Sequence, residues 1–370
     1  NPISFAGPWI TQKEVMYTMD ATRNGFYEAR FKYIRKFEKT VSKYVGVPYA
    51  LGTHCCTLAL HLACASLGLK KGDEVVCTDL SWIATADAIA YTGATPVFVD
   101  VDPLSWCIDP AAINRAITKK TKAIMIVHMY GHPCQMDEIM AIAHKYNLRV
   151  IEDAAPALGS EFKGKRVGSF GDFGCISFHG AKIAASGEGG ILLTSDKKLF
   201  DRAQFLSSMG RTDRKAQFWC DEIGYQYTIA NLTAALATAQ AERIGELMGK
   251  KRRIFRWYEK GLRDVEGITL IKEKKDCKSN YCYPSLMLAP PIRISRDTIL
   301  KSLAAANIFC RPALPRMSLM PMYEPRFSNP IATKVSRYGL NLPSAGNITE
   351  EDVEFVCKTI KKVIGVSGGV

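Results

Sequence analysis

Residues 149–155, Arg149-Val150-Ile151-Glu152-Asp153-Ala154-Ala155, decide how this chain is read. A short apolar run that ends on a carboxylate and passes into small residues reads as a buried strand leaving a sheet. The same signature recurs on both sides of it. Upstream lie Glu74–Thr78, Pro96–Asp100 and Ala123–His128; downstream lie Gly174–Phe178 and Gly190–Thr194. Helical patterns near 56–69, 83–92, 110–118 and 135–146 separate the upstream strands. Strands alternating with helices of this length are βαβ units, so an α/β fold with a mainly parallel sheet and helices on both faces is predicted. Few polar residues interrupt these strands, as expected when both faces are covered.

The pattern changes after residue 230. Asn231 is placed to cap a helix running through Leu232, Ala235, Leu236, Ala239, Ile244 and Leu247, with continuation to Leu262. Fewer strands follow, then an amphipathic helix over Glu350–Ile364 and a frayed tail from Gly365 to Val370. The chain therefore divides into a large domain with its N-terminal segment, 1–240, and a smaller C-terminal α+β domain, 241–370.

Composition excludes several function classes. The net charge of +13 invites a nucleic-acid partner, but the basic residues are scattered. The densest run, Lys250-Lys251-Arg252-Arg253, sits in a helical stretch and reads as a solvated face. No helix-turn-helix, zinc finger or stacked-aromatic RNA motif accompanies it. A positive field also suits a diphosphate-bearing small molecule. No apolar run reaches the roughly 18 residues of a membrane helix. Asn1–Phe5 lacks the basic-then-apolar order of a signal peptide, and a start at Asn points to trimmed or omitted sequence. Twelve cysteines without CxxC spacing signal neither a disulfide framework nor a zinc site. Reduced thiols in the cytoplasm are expected.

In an open parallel sheet, ligands bind outside the carboxyl ends of the strands. Three features fall there, each with two readings. Asp153 is either a helix-capping residue or a buried carboxylate facing a cationic ring nitrogen. Lys182, in Ser177-Phe178-His179-Gly180-Ala181-Lys182, is either a surface lysine or an amine desolvated among small residues and suited to imine chemistry. Thr57 follows a loop at a helix start, where it either caps the helix or marks an anion site made of free N–H groups. His179 stands three residues before Lys182, facing substrate or packed in its loop. His128 and His132, in "HMYGH", match no metal spacing and read as hydrogen-bonded structural residues. Glu188 among glycines shapes a turn. Arg311 and Arg316, in "RPALPR", suit a carboxylate or phosphate.

Taken in order, the segments "GDEV", "GATPVFVDVDP", "TKAIM.VH.YG", "VIEDAA.A.GS", "SFHGAK….GEGG", "N..AA….Q.ER" and "GLNLPS" resemble the DegT/DnrJ/EryC1/StrS sugar aminotransferases, fold-type-I pyridoxal-phosphate enzymes. The resemblance runs from about Trp9 to Ile364. It implies that the large domain binds pyridoxal 5'-phosphate, with Lys182 as its Schiff-base lysine. It further implies that Asp153 pairs with the ring nitrogen and that Trp82 stacks on the ring. Cys56, Thr57 and Ser177 then hold the phosphate, the first two largely through backbone, with Gln226 added from a partner subunit. That last role implies a homodimer with shared active sites. No metal is implied. Four positions depart from the family: Cys56 where glycine is frequent, Pro156 where Glu, Gln or His is frequent, and Gln226 and Thr228 where Asn and Arg are common.

Within the family, "FHGAK….GEGG" is most similar to the perosamine-synthase-like branch. This implies transfer of an amino group from L-glutamate to a nucleotide-linked 4-keto-6-deoxy sugar. The product is a 4-amino-4,6-dideoxy nucleotide sugar of amino-sugar and polysaccharide biosynthesis, such as that of O-antigen. The "GLNLPS" tail favours GDP, with UDP and dTDP left open. The competing readings are a 3-keto sugar aminotransferase, whose members carry a "K.LG…GD.G" pattern, and a sugar dehydratase on the same scaffold, whose members replace the lysine with histidine. A nucleic-acid-binding protein is the non-enzymatic alternative.

Overall fold

A computed structural model describes residues 2–212 and 216–365. The expected tail therefore lies, beyond Gly365, outside the described residues. Helices α1 (Gln12–Asn24) and α2 (Lys32–Val45) precede strand β1 (Tyr49–Thr53). The chain then alternates through α3 (Cys56–Ser66), β2 (Glu74–Thr78), α4 (Ala84–Ala90), β3 (Thr95–Val99), α5 (Pro110–Ala116), β4 (Thr121–Val127), α6 (Met136–Tyr146) and β5 (Arg149–Asp153). A short hairpin, β6 (Glu161–Phe162) and β7 (Lys165–Arg166), leads to β8 (Phe173–Ser177), β9 (Gly190–Thr194) and α7 (Lys197–Ser207).

The seven-stranded sheet has the order β1-β9-β8-β5-β4-β2-β3. Only β9 runs against the others, since it pairs antiparallel with both β1 and β8 while the remaining pairs are parallel. Strands β2, β8 and β9 are buried at every residue, and helices cover both faces. The expected α/β architecture is present.

Beyond α8 (Asn231–Ala241) and α9 (Ile244–Leu262) come β10 (Ile268–Leu270), β11 (Cys277–Lys278), β12 (Ser285–Leu288), α10 (Arg296–Ala305), β13 (Arg311–Pro312), α11 (Pro330–Tyr338), β14 (Gly339–Asn341) and α12 (Glu350–Val363). A four-stranded sheet, β10-β12-β14-β13, packs with α9, α10 and α12 around Ile254, Tyr258, Leu286, Leu303, Leu340 and Val356. The N-terminal segment also joins this C-terminal unit, because Ile3 N donates to Asn307 O at 2.9 Å.

Three expectations are corrected here. Asn231 does not cap its helix. Ala230 is the N-cap, and Asn231 ties the N-terminal helices together, donating to Gly25 O and accepting from Tyr33 N, both at 2.9 Å. The long helical run divides at Glu242-Arg243, where Arg243 reaches Glu14 at 2.6 Å and Trp9 O at 3.0 Å. The basic run is not a solvated face throughout. Lys251 is buried, with its ammonium on Cys282 O at 3.1 Å, Ser344 O at 2.5 Å and Ser344 Oγ at 2.9 Å.

Candidate active site

Strand alternation aims consecutive side chains of β5 to opposite sides of the sheet. Glu152 is saturated by the protein. His128 Nδ1 accepts from Cys134 N at 3.0 Å, so its Nε2 carries the hydrogen and donates to Glu152 Oε2 at 3.0 Å. Gly168 N, Phe170 N and Gly171 N add three more donors at 2.6–2.8 Å. Burial alone pushes the Glu152 carboxyl up, but His128 and these N–H groups outweigh it and hold it below its ordinary range. The structural role expected for His128 holds in this geometry. So does that of His132, which contacts Pro133 O at 2.7 Å and accepts from Lys274 N at 3.1 Å.

Asp153, the next residue, is buried with two donors: Thr85 Oγ1 at 2.7 Å and Ala155 N at 3.1 Å. Among the described residues it forms no ion pair. Burial raises its carboxyl above the ordinary range against the pull of Thr85, Ala155 N and the charge of Lys182. A buried carboxylate without a cation against it is costly unless a ligand supplies one.

Lys182 lies in a loop between β8 and β9 that is closed by its own bonds. Phe178 N donates to Gly189 O, Gly180 N to Gly187 O and Ser186 N to Phe178 O, at 2.7–2.8 Å. Phe178 is anchored edge-on against Phe37, with ring centroids 4.8 Å apart. Ile183, Ala184 and Ala185 are buried, and Gln240 of α8 accepts from Ala185 N at 3.2 Å. Lys182 itself is half-buried, and the chain on its C-terminal side is anchored in the core. Its Nζ lies 5.9 Å from the Tyr283 ring centroid.

Helix α3 begins beside this loop. Cys55 is its N-cap and makes no side-chain cap bond, so Thr57 stands in the first turn and the capping reading of Thr57 falls. N–H groups of a first helical turn, together with the helix dipole, favour an anion. Gly190 permits the close approach, since a Cβ there would meet Cys55 C at 2.5 Å and Cys56 N at 2.6 Å. Gly190 is also the ladder partner of both Thr53 and Ser177. Ser177 is buried, and its Oγ accepts from His179 N at 3.2 Å. Burial lifts the Cys56 thiol well above its ordinary range, reinforced by Asp153 and opposed by Lys182, so all three groups share one electrostatic environment.

The other expected residues divide. Trp82 precedes α4 and leaves 65% of its surface exposed, an aromatic face open beside the Thr85–Asp153 pair. His179 is exposed, 3.5 Å from Glu188. Arg311 lies over Phe5 at 4.9 Å, and Phe5 stacks on Tyr283 at 5.0 Å, which connects it to the Lys182 loop. Arg316 is turned away from that group. Its guanidinium is engaged by Asp79 at 2.8 Å, Thr333 at 2.9 Å and Ser318 at 3.1 Å. Gln226 is exposed between the stacked Tyr225 and Tyr227. Pro156 contributes its carbonyl, which accepts from Asn280 Nδ2 at 2.9 Å. Sequence reading passed over Thr85, Gln240, Asn280 and Tyr283. Only Gln240 left a trace, inside the "Q.ER" segment.

An uncompensated buried carboxylate, an amine held nearby, an exposed aromatic face and a helix N-terminus whose approach depends on a glycine fit a planar cationic heterocycle bearing a phosphate. This is the donor set that pyridoxal phosphate requires. Comparison with known proteins agrees. Residues 8–361 match the DegT/DnrJ/EryC1/StrS aminotransferase family. The chain is 39% identical over 356 residues to GDP-perosamine synthase of Escherichia coli O157:H7, covering 96% of each chain. It is 33% identical over 362 residues to EpsN of Bacillus subtilis, named as a pyridoxal phosphate-dependent aminotransferase, covering 95% of this chain and 92% of EpsN. The crystal structure of the aminotransferase TlmJ from Streptoalloteichus hindustanus superposes with a TM-score of 0.93 at 27% identity, over 99% of each chain. The fold is therefore that of a pyridoxal-phosphate-dependent aminotransferase. The chain belongs to the DegT/DnrJ/EryC1/StrS aminotransferase family.

Proposed function

We propose that this enzyme transfers the amino group of L-glutamate to C4 of a nucleotide-linked 4-keto-6-deoxy sugar, GDP-linked in the first instance, giving a 4-amino-4,6-dideoxy sugar of the perosamine type. The observation that carries the site assignment is the buried Asp153 carboxylate, which has hydrogen-bond donors but no cationic side chain within ion-pair distance among the described residues, and which feels the charge of Lys182. The GDP assignment is supported by likeness to a GDP-perosamine synthase over nearly the whole chain.

When bound, pyridoxal phosphate supplies the electron sink for charge developing at the donor's α-carbon. In this reading Lys182 carries the cofactor. Its amine would take the proton from the donor α-carbon as a general base. Asp153 would keep the ring nitrogen protonated, since a buried carboxylate favours a cation beside it. Thr57 and Cys56 would offer backbone N–H groups to the phosphate, with Ser177 beside them, and Trp82 would stack on the ring. His179 and Arg311 face the substrate. Arg316 acts at one remove, by ordering the loop around Asp79.

The working unit in this reading is a homodimer in which the partner's copy of Gln226 completes the phosphate site. The exposed Met209, Phe218 and Ile223 flanking Gln226 support burial of this region against a second chain. The division into domains near residue 240 and a cytoplasmic location, consistent with twelve free cysteines, belong to the same reading. Incubation with L-glutamate and GDP-4-keto-6-deoxymannose, followed by NMR, is the test. A C4 amine is expected; turnover of a 3-keto sugar with none of any 4-keto sugar refutes the regiochemistry.

A further inference from the structure

The segment Ser279-Asn280-Tyr281-Cys282-Tyr283 enters from the C-terminal half and bonds to both loops that carry the candidate chemistry. Asn280 is fully buried. Its Nδ2 donates to Pro156 O at 2.9 Å and Leu158 O at 3.0 Å, and its backbone N donates to Ser160 Oγ at 3.0 Å. These acceptors lie in the loop immediately after Asp153. Three residues on, the Tyr283 hydroxyl donates to Ala181 O at 2.9 Å, the peptide that leads into Lys182.

The segment itself is locked. Asn280 Oδ1 accepts from Cys282 N at 2.8 Å. Cys282 O accepts from Lys251 Nζ at 3.1 Å and Ser344 Oγ at 3.0 Å. Ser279 Oγ donates to Gly131 O at 3.0 Å. Gly131, at φ +97°, is the residue that lets Asn280 in, because a Cβ there would stand 1.9 Å from Asn280 Oδ1. The Tyr283 ring is held by Phe5, stacked at 5.0 Å, and by Tyr130, edge-on at 5.8 Å.

We propose that Asn280 and Tyr283 are positioning residues that fix the separation of the Asp153 and Lys182 loops, Tyr283 setting the direction of the Lys182 amine through the Ala181 carbonyl. The proposal rests on the reading of Lys182 as the cofactor-bearing amine. A hydroxyl anchored to a rigid ring constrains the peptide at 181, and through it the origin of the lysine side chain. Misplacement of a reacting group by about 1 Å costs on the order of 10²-fold in rate.

The test uses the cofactor-loaded protein carrying Tyr283→Phe, which keeps the ring and its stacking and removes only the hydroxyl. Two readouts are taken: the pH titration of the visible absorbance, and single-turnover kinetics with L-glutamate. A shifted titration midpoint and a maximal half-reaction rate about tenfold lower, with the half-saturating glutamate concentration changed by less than about twofold, are expected. Tyr283→Leu, lacking the ring as well, falls further. Tyr283→Phe protein that titrates and turns over like wild type overturns the proposal. Borohydride labelling that persists in Lys182→Ala overturns instead the reading of Lys182 on which it rests.

Discussion

Thr85 donates its hydroxyl to Asp153 at 2.7 Å, and Ser81 meets Thr85 at 3.0 Å, so a buried chain of hydroxyls ends on the carboxylate. Thr85→Val keeps the shape of the side chain and removes the donor. Asp153, already raised by burial, then rises further and gives up its proton less readily. A hydrogen bond to a charged group is worth about 1.5–3 kcal/mol, so pyridoxal-phosphate affinity should fall roughly 10- to 100-fold. Titration of cofactor-free protein by visible absorbance measures this, and an unchanged dissociation constant counts against the role given to Asp153.

Borohydride reduction of the loaded enzyme should fix the cofactor on one peptide, the one containing residue 182. Lys182→Ala should fold, bind cofactor without covalent attachment, and lose transamination by several orders of magnitude, since nucleophile and general base are one group. Peptide mass spectrometry decides. A label on any other lysine rejects the assignment.

Shared active sites make a complementation prediction. Gln226→Ala alone should lose most of its activity, because the phosphate of the neighbouring site loses a donor. Mixed with Lys182→Ala, subunit exchange should restore activity to roughly a quarter of wild type, as half the dimers are hybrids with one intact site. A fully active monomer in sedimentation excludes the arrangement.

Glu38 of α2 accepts from Gly52 N of β1 at 2.9 Å, and burial pushes its carboxyl up to about 7. The unfolded chain releases that proton near the ordinary carboxyl value of 4.5. The folded state therefore binds more protons between these values, and stability falls as pH rises through this window. Glu38→Gln retains an acceptor for Gly52 and cannot ionise. It should match wild type near pH 4.5 and exceed it by about 1–3 kcal/mol above pH 7 in denaturant melts of the cofactor-free protein. Parallel curves across this range contradict the prediction.

Strands in the centre of the large sheet were legible because burial on both faces leaves nothing but apolar and β-branched residues, as in Ala123–Val127. Strand β1 was not, since Ala50 and Gly52 dilute its pattern and it lies at the sheet edge, paired only with β9. Asp153 stood out because it ends such a strand, and Lys182 because it lies in the small-residue loop beyond another. The residues that organise them did not. Arg316 and its partner Asp79 are 237 positions apart, and Tyr283 and Ala181 are 102 apart. No periodicity encodes such pairs. Lys251 was misread for a related reason: its neighbours in sequence are basic, whereas its acceptors, Cys282 and Ser344, come from other segments.

The back-to-back carboxylates of β5 constrain how this family member can change length. A deletion or insertion of a single residue within 149–153 exchanges the two faces of the strand. It would carry Glu152 away from its four donors and turn Asp153 toward them, while Val127 at the end of the adjoining strand and His128 just beyond it kept their places. Length variation should therefore be confined to the connections on either side of this strand, and any transplant of the site into another scaffold should move β4, β5 and the 168–171 turn as one piece.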